Sequence, residues 1–293
     1  MSRSPNFFVI GVAKAGTSSL FHYLSQHPKI FTSYVKEPHF LCDEEKYQQG
    51  TKWYLDKYFS GSEGYPARGE ATPHYIQLVD VVPPRLRKMV EEQSVRLIVI
   101  LRDPVERAWS HYLFRRSHMA VEHESFRVLF EKEVERWNRE PESRGHYYYP
   151  GLYGYQIEKW LEHFPRQKFL FIKFDDFVFK TKAIVHSVFK FIGVDEDVKI
   201  DISNKKNETG KPRFRWLRRA VREIPNLRQI VKYFVPLHLQ HPLRRRLNKF
   251  FAVPYEQEKP QIKEYDAEII KSYYDDDIER AEQLTGLDLS GWK

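Results

Sequence analysis

Cysteine and long apolar runs are both scarce in this chain, and each shortage excludes a class of protein. The single cysteine, Cys42, cannot form an intrachain disulfide, and no set of histidines and cysteines accompanies it at the spacing of a zinc site. No stretch reaches the roughly 18 apolar residues of a membrane span. The apolar run near the N-terminus is short and Lys14 interrupts it, so we expect no secretion signal. Together these features predict a cytosolic protein without a metal site.

Acidic residues are outnumbered by basic ones, and the chain carries a formal net charge of +8. A basic excess attracts anions, whether nucleic acid, anionic lipid or a polyphosphorylated cofactor, and composition alone does not choose among them. The content of 41% hydrophobic and 30% charged residues is that of a globular protein, and 293 residues suffice for one large domain. Residues 205–251 hold many lysines and arginines and few acids.

Segments typical of strands alternate with segments typical of helices. We predict buried strands over residues 5–11, 94–104 and 168–177, a short strand over 30–34, and helices over 17–26, 104–117, 154–164, 181–192 and 267–286. Asp103 and Pro104 have the residue types of an N-cap and a first helical position. Because strands that alternate with helices form parallel sheets, we predict an α/β fold: a single domain with a central parallel β-sheet flanked by helices. Ligands are then expected at the carboxyl ends of the strands.

The segment FFVIGVAKAGTSSL, residues 7–20, predicts a strand, a P-loop-like phosphate-binding loop and a helix. Gly16 lets the backbone approach an anion, Thr17 and Ser18 add hydroxyl donors, and Lys14 adds a positive charge. The order of residues differs from the nucleoside triphosphate loop G-x-x-x-x-G-K-[ST], because Lys14 comes two residues before Gly16. The hydroxyl that usually binds magnesium is therefore missing. The loop favours a phosphate compound that needs no metal; the alternative is an ordinary turn with an exposed lysine.

A second basic position follows the strand predicted over residues 94–104. In LRDPVERAWSHY, Arg102 stands at the end of that strand and Ser110 lies about two turns into the next helix. An arginine beside a helix N-terminus is well placed to bind a second phosphate. The alternative is a surface arginine paired with Asp103 or Glu106.

These motifs together resemble one family, the sulfotransferases that use 3′-phosphoadenosine 5′-phosphosulfate (PAPS). GVAKAGTSSL resembles their 5′-phosphosulfate loop, and LRDPVERAWSHY resembles their 3′-phosphate-binding strand and helix. Five further segments resemble the subgroup that includes heparan sulfate sulfotransferases and many bacterial relatives: KEPHFL (36–41), WYLDKYF (53–59), GEATPHYI (69–76), GLYGYQIEKWLEHFP (151–165) and KFLFIKFDDF (168–177). The resemblance runs from about residue 5 to 215, with the motifs in the order and spacing of the family.

The resemblance implies a role for each matching residue. Lys14 would hold the 5′-phosphate and stabilise the leaving group, and Arg102 and Ser110 would bind the 3′-phosphate. The remaining cofactor contacts implied are Ala15, Gly16, Thr17 and Ser18 in the loop, and Lys211 and Arg213 in the segment NETGKPRFRWL (207–217), which would close over the nucleotide.

Glu37, in KEPHFL, falls where the heparan-type enzymes have their general base. His39 and His74 are rival bases, because a histidine within reach of the acceptor can also take its proton. Glu37 follows the strand predicted over 30–34, so it lies near the phosphate loop if that strand and the first one are neighbours. The chain has Ala71 where heparan enzymes have a lysine, so one cationic sugar contact is absent.

The resemblance implies one sulfotransferase domain over residues 1–293. It would consist of an α/β core (5–200), a basic region (201–258) and a C-terminal helix (259–293). We expect a small-molecule or carbohydrate acceptor, whose hydroxyl or amine is not identified by the sequence, and no nucleic acid. The basic stretch 211–249 is a candidate site for an acidic substrate or a carrier protein.

Two other functions are compatible with parts of the sequence. A kinase-like phosphotransferase would use a similar sheet but needs a magnesium-ligand pattern that we do not find. A nucleic-acid or membrane-binding protein would use the basic stretch, although charged runs are usually solvated surface. The aromatic residues Trp53, Tyr54 and Tyr75 and the run HYYYPGLYGY (146–155) predict either the walls of a pocket or core packing.

Overall fold

The computed structural model describes residues 3–90, 94–118, 124–141, 143–203, 210–212, 252–254 and 260–293. The chain divides into two compact units. The first unit comprises residues 1–112, 124–207 and 262–293, and the second comprises 113–123 and 208–261. The boundaries predicted within the chain, at residues 200 and 258, stay predictions.

A five-stranded parallel sheet forms the centre of the first unit, in the order β2–β3–β1–β4–β5. The strands are β1 (Phe7–Gly11), β2 (Ile30–Thr32), β3 (Ala67–Ala71), β4 (Arg96–Leu101) and β5 (Phe169–Lys173). The central strands β1 and β4 are buried almost throughout, because helices cover both faces of a parallel sheet. The predicted parallel α/β fold is confirmed.

Helices connect and flank these strands. Those of the first unit are α1 (Thr17–Leu24), α2 (Glu44–Tyr47), α3 (Gly50–Tyr58), α4 (Val82–Met89), α5 (Pro104–His118, whose last turns belong to the second unit), α6 (Phe126–Arg139), α7 (Tyr153–Leu161), α8 (Phe174–Phe179), α9 (Thr181–Ile192), α10 (Glu264–Ser272) and α11 (Asp275–Thr285). Short 3₁₀ turns occur at Tyr75–Gln77, Tyr149–Gly151, Arg166–Lys168 and Ser290–Trp292. The second unit contains an antiparallel pair, β6 (Gly210–Pro212) and β7 (Ala252–Pro254). None of the described helices is long and apolar enough to cross a membrane.

Two predicted elements differ from the structure by more than a few terminal residues. The strand predicted over 168–177 ends at Lys173, and helix α8 begins at Phe174. Asp175 and Asp176 occupy the first turn of α8, where negative charge is favoured. The single helix predicted over 267–286 is two helices, because the chain breaks at Tyr273 and Tyr274, and the ring of Tyr274 is buried in the core.

The start of α5 is as predicted. The Asp103 carboxylate accepts hydrogen bonds from the backbone N–H groups of Val105 (2.8 Å) and Glu106 (2.9 Å), and the helix begins at Pro104. This cap directs α5 away from the end of β4 immediately after Arg102, so Arg102 lies at the carboxyl edge of the sheet.

The strand order determines where a crevice forms. The connection after β1 runs through α1 towards β2, whereas the connection after β4 runs towards β5 on the other side of the sheet. Neighbouring loops that leave a parallel sheet in opposite directions open a crevice at the carboxyl ends of their strands. Here the strand order reverses between β1 and β4, so a ligand is expected at the carboxyl ends of these two strands, beside the loop after β1 and Arg102.

Candidate active site

The loop after β1 turns sharply into helix α1. The N–H of Val12 still bonds to the carbonyl of Ile100 in β4 (3.0 Å), and the chain then folds back through Lys14, whose φ is +74°. Gly16, the N-cap of α1, has φ +80°, and a Cβ there would lie 3.0 Å from the ring of Phe177. The position therefore requires glycine for both its backbone angle and its close packing. The first N–H groups of a helix have no partner within it, so this turn offers donors to an anion beside Lys14.

Arg102 lies against the same loop. Its Nη1 donates to the carbonyl of Lys14 (3.1 Å), its Nη2 donates to Glu106 Oε2 (3.0 Å), and its guanidinium lies 4.9 Å from the ring centroid of Phe174. The side chain is 15% exposed. The pairing with Glu106 considered from the sequence therefore exists, but it occurs together with a contact that places Arg102 at the loop of Lys14. The two predicted phosphate-binding positions are neighbours.

Helix α5 adds a buried hydroxyl and a buried positive charge. Ser110 is 3% exposed and lies one turn beyond Arg107, on the same side of the helix. Arg107 is fully buried: its Nη2 donates to the carbonyl of Tyr147, while Nε and Nη1 have no hydrogen-bond partner among the described residues. Desolvation and the positive charge of Arg107 lower the pKa of His111 well below its usual range. The sequence analysis assigned no role to Arg107, and its position three residues before Ser110 was the available signal.

Glu37 reaches the carboxyl edge of the sheet by a route that the sequence did not indicate. Strands β1 and β2 are not neighbours, because β3 lies between them. The backbone N–H of Glu37 bonds to the carbonyl of Ala71 at the end of β3 (3.1 Å), and the N–H of Thr72 bonds to Val9 of β1 (3.0 Å). The connection from Glu37 to the strand that carries the phosphate loop therefore runs through β3.

Glu37 and His39 both have left-handed backbone, with φ +62° and +58°. Such angles cost a non-glycine residue roughly 1–3 kcal/mol and persist only where the surrounding structure enforces them. The Glu37 side chain is 42% exposed, its Oε1 contacts the ammonium of Lys36, and its Oε2 lies 3.7 Å from His39 Nε2. Desolvation lowers the pKa of His39, which favours the neutral form of its ring, whereas the charge of Glu37 acts in the opposite direction. A carboxylate and an imidazole thus lie side by side, and either can accept a proton.

His74, the third candidate base, lies at the surface in the turn after β3. Desolvation lowers the pKa of its ring, and repulsion from His39 and His146 in their protonated forms lowers it further. The charge of Glu37 acts in the opposite direction. The three candidate bases therefore belong to one electrostatic cluster.

Glu70, in β3, is a buried carboxyl that the sequence analysis did not treat as functional. It is fully buried and accepts hydrogen bonds from the hydroxyls of Tyr54 (2.8 Å), Thr72 (2.6 Å) and Tyr75 (3.2 Å). Burial raises its pKa to about 7. The signal in the sequence was a glutamate within GEATP, at a strand position where apolar residues are expected.

The run of aromatic residues after α6 is held by a second carboxylate. Glu133 Oε1 accepts the N–H of His146 (2.7 Å), and its Oε2 accepts the N–H groups of Tyr147 (2.7 Å) and Tyr148 (3.0 Å). A Cβ at Gly145 would lie 2.2 Å from the Glu133 carboxylate, so the carboxylate keeps this position only opposite a residue without a side chain. Of the two alternatives for these aromatics, core packing is found for Tyr54, Tyr75, Tyr147, Tyr149 and Tyr153, which are all at most 2% exposed.

The C-terminal helices support this side of the crevice. Asp277 of α11 accepts the N–H groups of Gly154 and Tyr155 at the start of α7 (both 2.8 Å), and burial raises its pKa to about 6. The first residue of α7, Tyr153, donates its hydroxyl to the carbonyl of Arg102 (2.6 Å). Helix α11 thus fixes the helix that contacts the backbone at Arg102.

Two predicted cofactor contacts fall in or beside the second unit. Lys211 lies in β6, of which the structure describes the backbone course. Arg213 and nearly all of the basic stretch 211–249 lie outside the described residues. The roles predicted for them stay predictions.

Comparison with known proteins identifies the family. The family described as "Sulfotransferase domain" matches residues 4–210. The chain is 28% identical over 193 residues to heparan sulfate glucosamine 3-O-sulfotransferase 5 of Mus musculus (65% of this chain, 54% of that protein). It is 31% identical over 195 residues to heparan sulfate glucosamine 3-O-sulfotransferase 3A1 of Mus musculus (65% and 46%), and 38% identical over 112 residues to the membrane-associated sulfotransferase kil1 of Dictyostelium discoideum (38% and 23%).

A solved structure is similar over nearly the full length. The crystal structure of a sulfotransferase from Alicyclobacillus acidocaldarius matches with a TM-score of 0.69 and 26% identity, covering 98% of each chain. By contrast, the matches to the three curated relatives span only 23% to 54% of those proteins. The match over residues 4–210, together with this structural similarity, shows that the chain belongs to the sulfotransferase family of enzymes, as its motifs predicted.

Proposed function

We propose that this protein transfers a sulfuryl group from PAPS to a hydroxyl of a carbohydrate or small-molecule acceptor. The observation that carries the proposal is the contact between Arg102 Nη1 and the carbonyl of Lys14. It joins two basic positions at the crevice between β1 and β4, and PAPS is a ligand with two separate anionic groups. Membership of the sulfotransferase family supports the same reaction.

The chemistry of the donor groups fits this cofactor. Lys14, Thr17 and Ser18 with the N-terminus of α1 would hold the 5′-phosphosulfate, as hydroxyls, an ammonium and helix N–H groups suit a phosphate. Arg102 and Ser110 would hold the 3′-phosphate. When bound, PAPS supplies a sulfuryl group attached to a good leaving group.

Lys14 acts on the leaving group. Negative charge increases on the 5′-phosphate as the bond to sulfur breaks, and an ammonium already in place stabilises that charge without reorganisation. The left-handed backbone at Lys14 and the hydrogen bond from Arg102 to its carbonyl hold the residue in the loop.

Glu37 acts as the general base and takes the proton of the acceptor hydroxyl. Its carboxylate is partly exposed and therefore accessible to an acceptor, and its backbone is bonded to the end of β3. His39 Nε2, 3.7 Å away, is positioned to contact the same carboxylate or the acceptor. A carbohydrate acceptor is supported by two relatives that are heparan sulfate glucosamine 3-O-sulfotransferases by name.

Calorimetry with adenosine 3′,5′-bisphosphate in EDTA tests the cofactor. We expect tight binding without metal and a rise in melting temperature that follows the ligand concentration. Binding of ATP with Mg²⁺ in place of the bisphosphate would instead support a phosphotransferase. A screen of sugars, alcohols and amines with radiolabelled PAPS then identifies the acceptor, and absence of bisphosphate binding would overturn the proposal.

A further inference from the structure

The segment that carries Glu37 and His39 is anchored to the protein by a tyrosine hydroxyl. The backbone N–H of Leu41 donates to the Tyr75 hydroxyl (3.2 Å), and that hydroxyl donates to Glu70 Oε1 (3.2 Å). Leu41 and Tyr75 are both fully buried, so no water competes for this contact. The left-handed backbone at Glu37 and His39 therefore lies two to four residues from a fixed point.

Glu70 connects that fixed point to the rest of the site. Its Oε1 also accepts the hydroxyl of Tyr54, whose ring stacks on Phe40 with 4.3 Å between centroids. Its Oε2 accepts the hydroxyl of Thr72, whose N–H bonds to Val9 in β1. One carboxyl thus links the strand before the phosphate loop, helix α3 and the segment of the candidate base.

Burial of a carboxyl group in the core is energetically unfavourable compared with burial of an apolar side chain. An isolated polar group removed from water is unfavourable unless it is hydrogen-bonded, and apolar residues of similar volume pack a core at least as well. The Glu70 carboxyl accepts hydrogen bonds from three hydroxyls. One of them, the Tyr75 hydroxyl, also accepts the backbone N–H of Leu41. These hydrogen bonds are those of a side chain that orients the residues around it.

We propose that Glu70 is a positioning residue that, through the Tyr75 hydroxyl, fixes the backbone of Leu41 and so orients Glu37 and His39 towards the acceptor. The inference rests on the proposed sulfuryl transfer for its catalytic consequence. Its structural consequence, the anchoring of residues 37–42, is measurable without any acceptor.

Tyr75→Phe and Tyr54→Phe form a matched pair of variants. Both remove a hydroxyl that donates to the same oxygen of Glu70, and both rings are fully buried. Only the Tyr75 hydroxyl also accepts the N–H of Leu41. Losses common to the two variants report the general cost of a missing hydrogen bond, and losses confined to Tyr75→Phe report the anchor.

Cys42 is a natural reporter for this segment. It is the single cysteine of the chain, follows Leu41 directly, and its Sγ lies 3.5 Å from the carbonyl of His39. Burial raises the pKa of its thiol to about 11, so it reacts slowly unless the segment opens. We expect the rate of labelling by 5,5′-dithiobis(2-nitrobenzoate) to rise roughly three- to tenfold in Tyr75→Phe, the factor for one lost hydrogen bond. Tyr54→Phe should stay within about twofold of the unmodified protein on the same basis.

A kinetic measurement tests the catalytic consequence with water as the acceptor. We expect kcat for hydrolysis of radiolabelled PAPS to fall roughly tenfold or more in Tyr75→Phe, because small displacements of a reacting group are costly, with KM for PAPS unchanged. Tyr54→Phe should leave both values near those of the unmodified protein. Affinity for adenosine 3′,5′-bisphosphate should be the same in all three.

Two variants of Glu70 complete the test. Glu70→Gln retains an oxygen for the Tyr75 hydroxyl and should keep slow Cys42 labelling, whereas Glu70→Met lacks any acceptor and should match Tyr75→Phe. If Glu70→Met does not fold, the comparison of Cys42 labelling in Tyr75→Phe and Tyr54→Phe still tests the proposal. Equal labelling rates in Tyr75→Phe and Tyr54→Phe would overturn the proposal. Failure of the unmodified protein to bind adenosine 3′,5′-bisphosphate would overturn the sulfotransferase function while leaving the labelling result intact.

Discussion

The two sides of the candidate site are held in different ways. On the donor side, the loop after β1 is held by contacts to main-chain atoms: Val12 pairs with Ile100, and Arg102 bonds to the carbonyl of Lys14. On the acceptor side, side chains contribute more to holding the segment 36–42. The buried pair Tyr75 and Glu70 holds the N–H of Leu41, and Lys46 and Arg85 donate to the carbonyls of Pro38 (2.7 Å) and Leu41 (3.1 Å). The comparison teaches that donor-side substitutions should remove a function directly, whereas acceptor-side function also depends on residues that never touch a substrate.

The largest expected effect is on the donor side, at Lys14. Lys14→Ala should lower kcat by roughly 10³-fold, because the charge that develops on the leaving group loses its stabilising partner. Affinity for adenosine 3′,5′-bisphosphate should change much less, since that contact strengthens only as the bond breaks. The measurement is steady-state transfer from radiolabelled PAPS, together with calorimetry.

Lys29→Ala is the matched control, because Lys29 is an exposed lysine beside the amino end of β2, at the opposite edge of the sheet. It should leave both quantities unchanged. Equal and small losses in both variants would show that Lys14 is an ordinary surface lysine.

The next effect is on the acceptor side, at Glu37. Glu37→Gln keeps the shape of the side chain and removes the proton acceptor, so kcat should fall by roughly 10²-fold or more. Cofactor affinity should stay unchanged, which distinguishes this side of the site from the other. Kinetics with the acceptor identified by the screen provide the measurement.

His39→Ala and His74→Ala test the rival bases in the same assay. Near-normal turnover in Glu37→Gln, together with a collapse in one of the histidine variants, would assign the base to that histidine.

A smaller effect is expected at Arg102, in binding rather than in turnover. Arg102→Ala should weaken adenosine 3′,5′-bisphosphate by about 2–3 kcal/mol, roughly 30- to 150-fold, as for truncation of one partner of a mostly buried charge pair. Arg96→Ala is the control at the other end of the same strand, where the side chain contacts the carbonyls of Phe191 and Val95. If Arg96→Ala weakened the ligand as much as Arg102→Ala does, the loss would reflect damage to β4 and not a phosphate contact.

The smallest effect concerns stability on the acceptor side. The pKa of Glu70 is raised from 4.5 to about 7, so its protonated form is favoured in the folded protein. Its contribution to stability is complete below pH 4.5 and is lost as the pH rises through about 7. Glu70→Gln cannot ionise, so its melting temperature relative to the unmodified protein should rise by a few °C, roughly 5 °C, between pH 5 and pH 8.

The groups around Glu70 do not obscure this titration. Tyr54 and Tyr58 of α3, Tyr75 and Cys42 all have pKa values raised further above the pH range of the measurement. The positive charge of Lys46 also acts on Glu70 and lowers its pKa.

Glu282→Gln is the control for this pH effect. The hydrogen bond from Lys293 lowers the pKa of Glu282, whose stabilising contribution is present above its unfolded value of 4.5 and lost below it. Its melting-temperature difference should be flat from pH 5 to pH 8. A flat difference for Glu70→Gln as well would contradict the raised pKa.

Residues near one another in the sequence carried most of the successful predictions. The family and the parallel α/β fold are confirmed. They were predictable because β1, the loop at Lys14 and α1 follow one another within residues 7–24. The predicted N-cap at Asp103 is also confirmed, and its hydrogen bond joins residues only two positions apart. The roles of Lys14, Arg102, Ser110 and Glu37, the cytosolic location and the contacts of Lys211 and Arg213 stay predictions.

The sequence by itself determined the alternation of strands and helices and the residue types of the loop at Lys14, because these depend on residue types and spacings over one or two turns of chain. Only the tertiary structure decided the strand order, which inserts β3 between Glu37 and the phosphate loop. It also decided that Glu70 meets Tyr54, Thr72 and Tyr75 in a dry interior. A glutamate at the surface and a glutamate buried among hydroxyls cannot be distinguished by residue type. Burial and the hydroxyl partners give the buried carboxyl a different pKa and a different role.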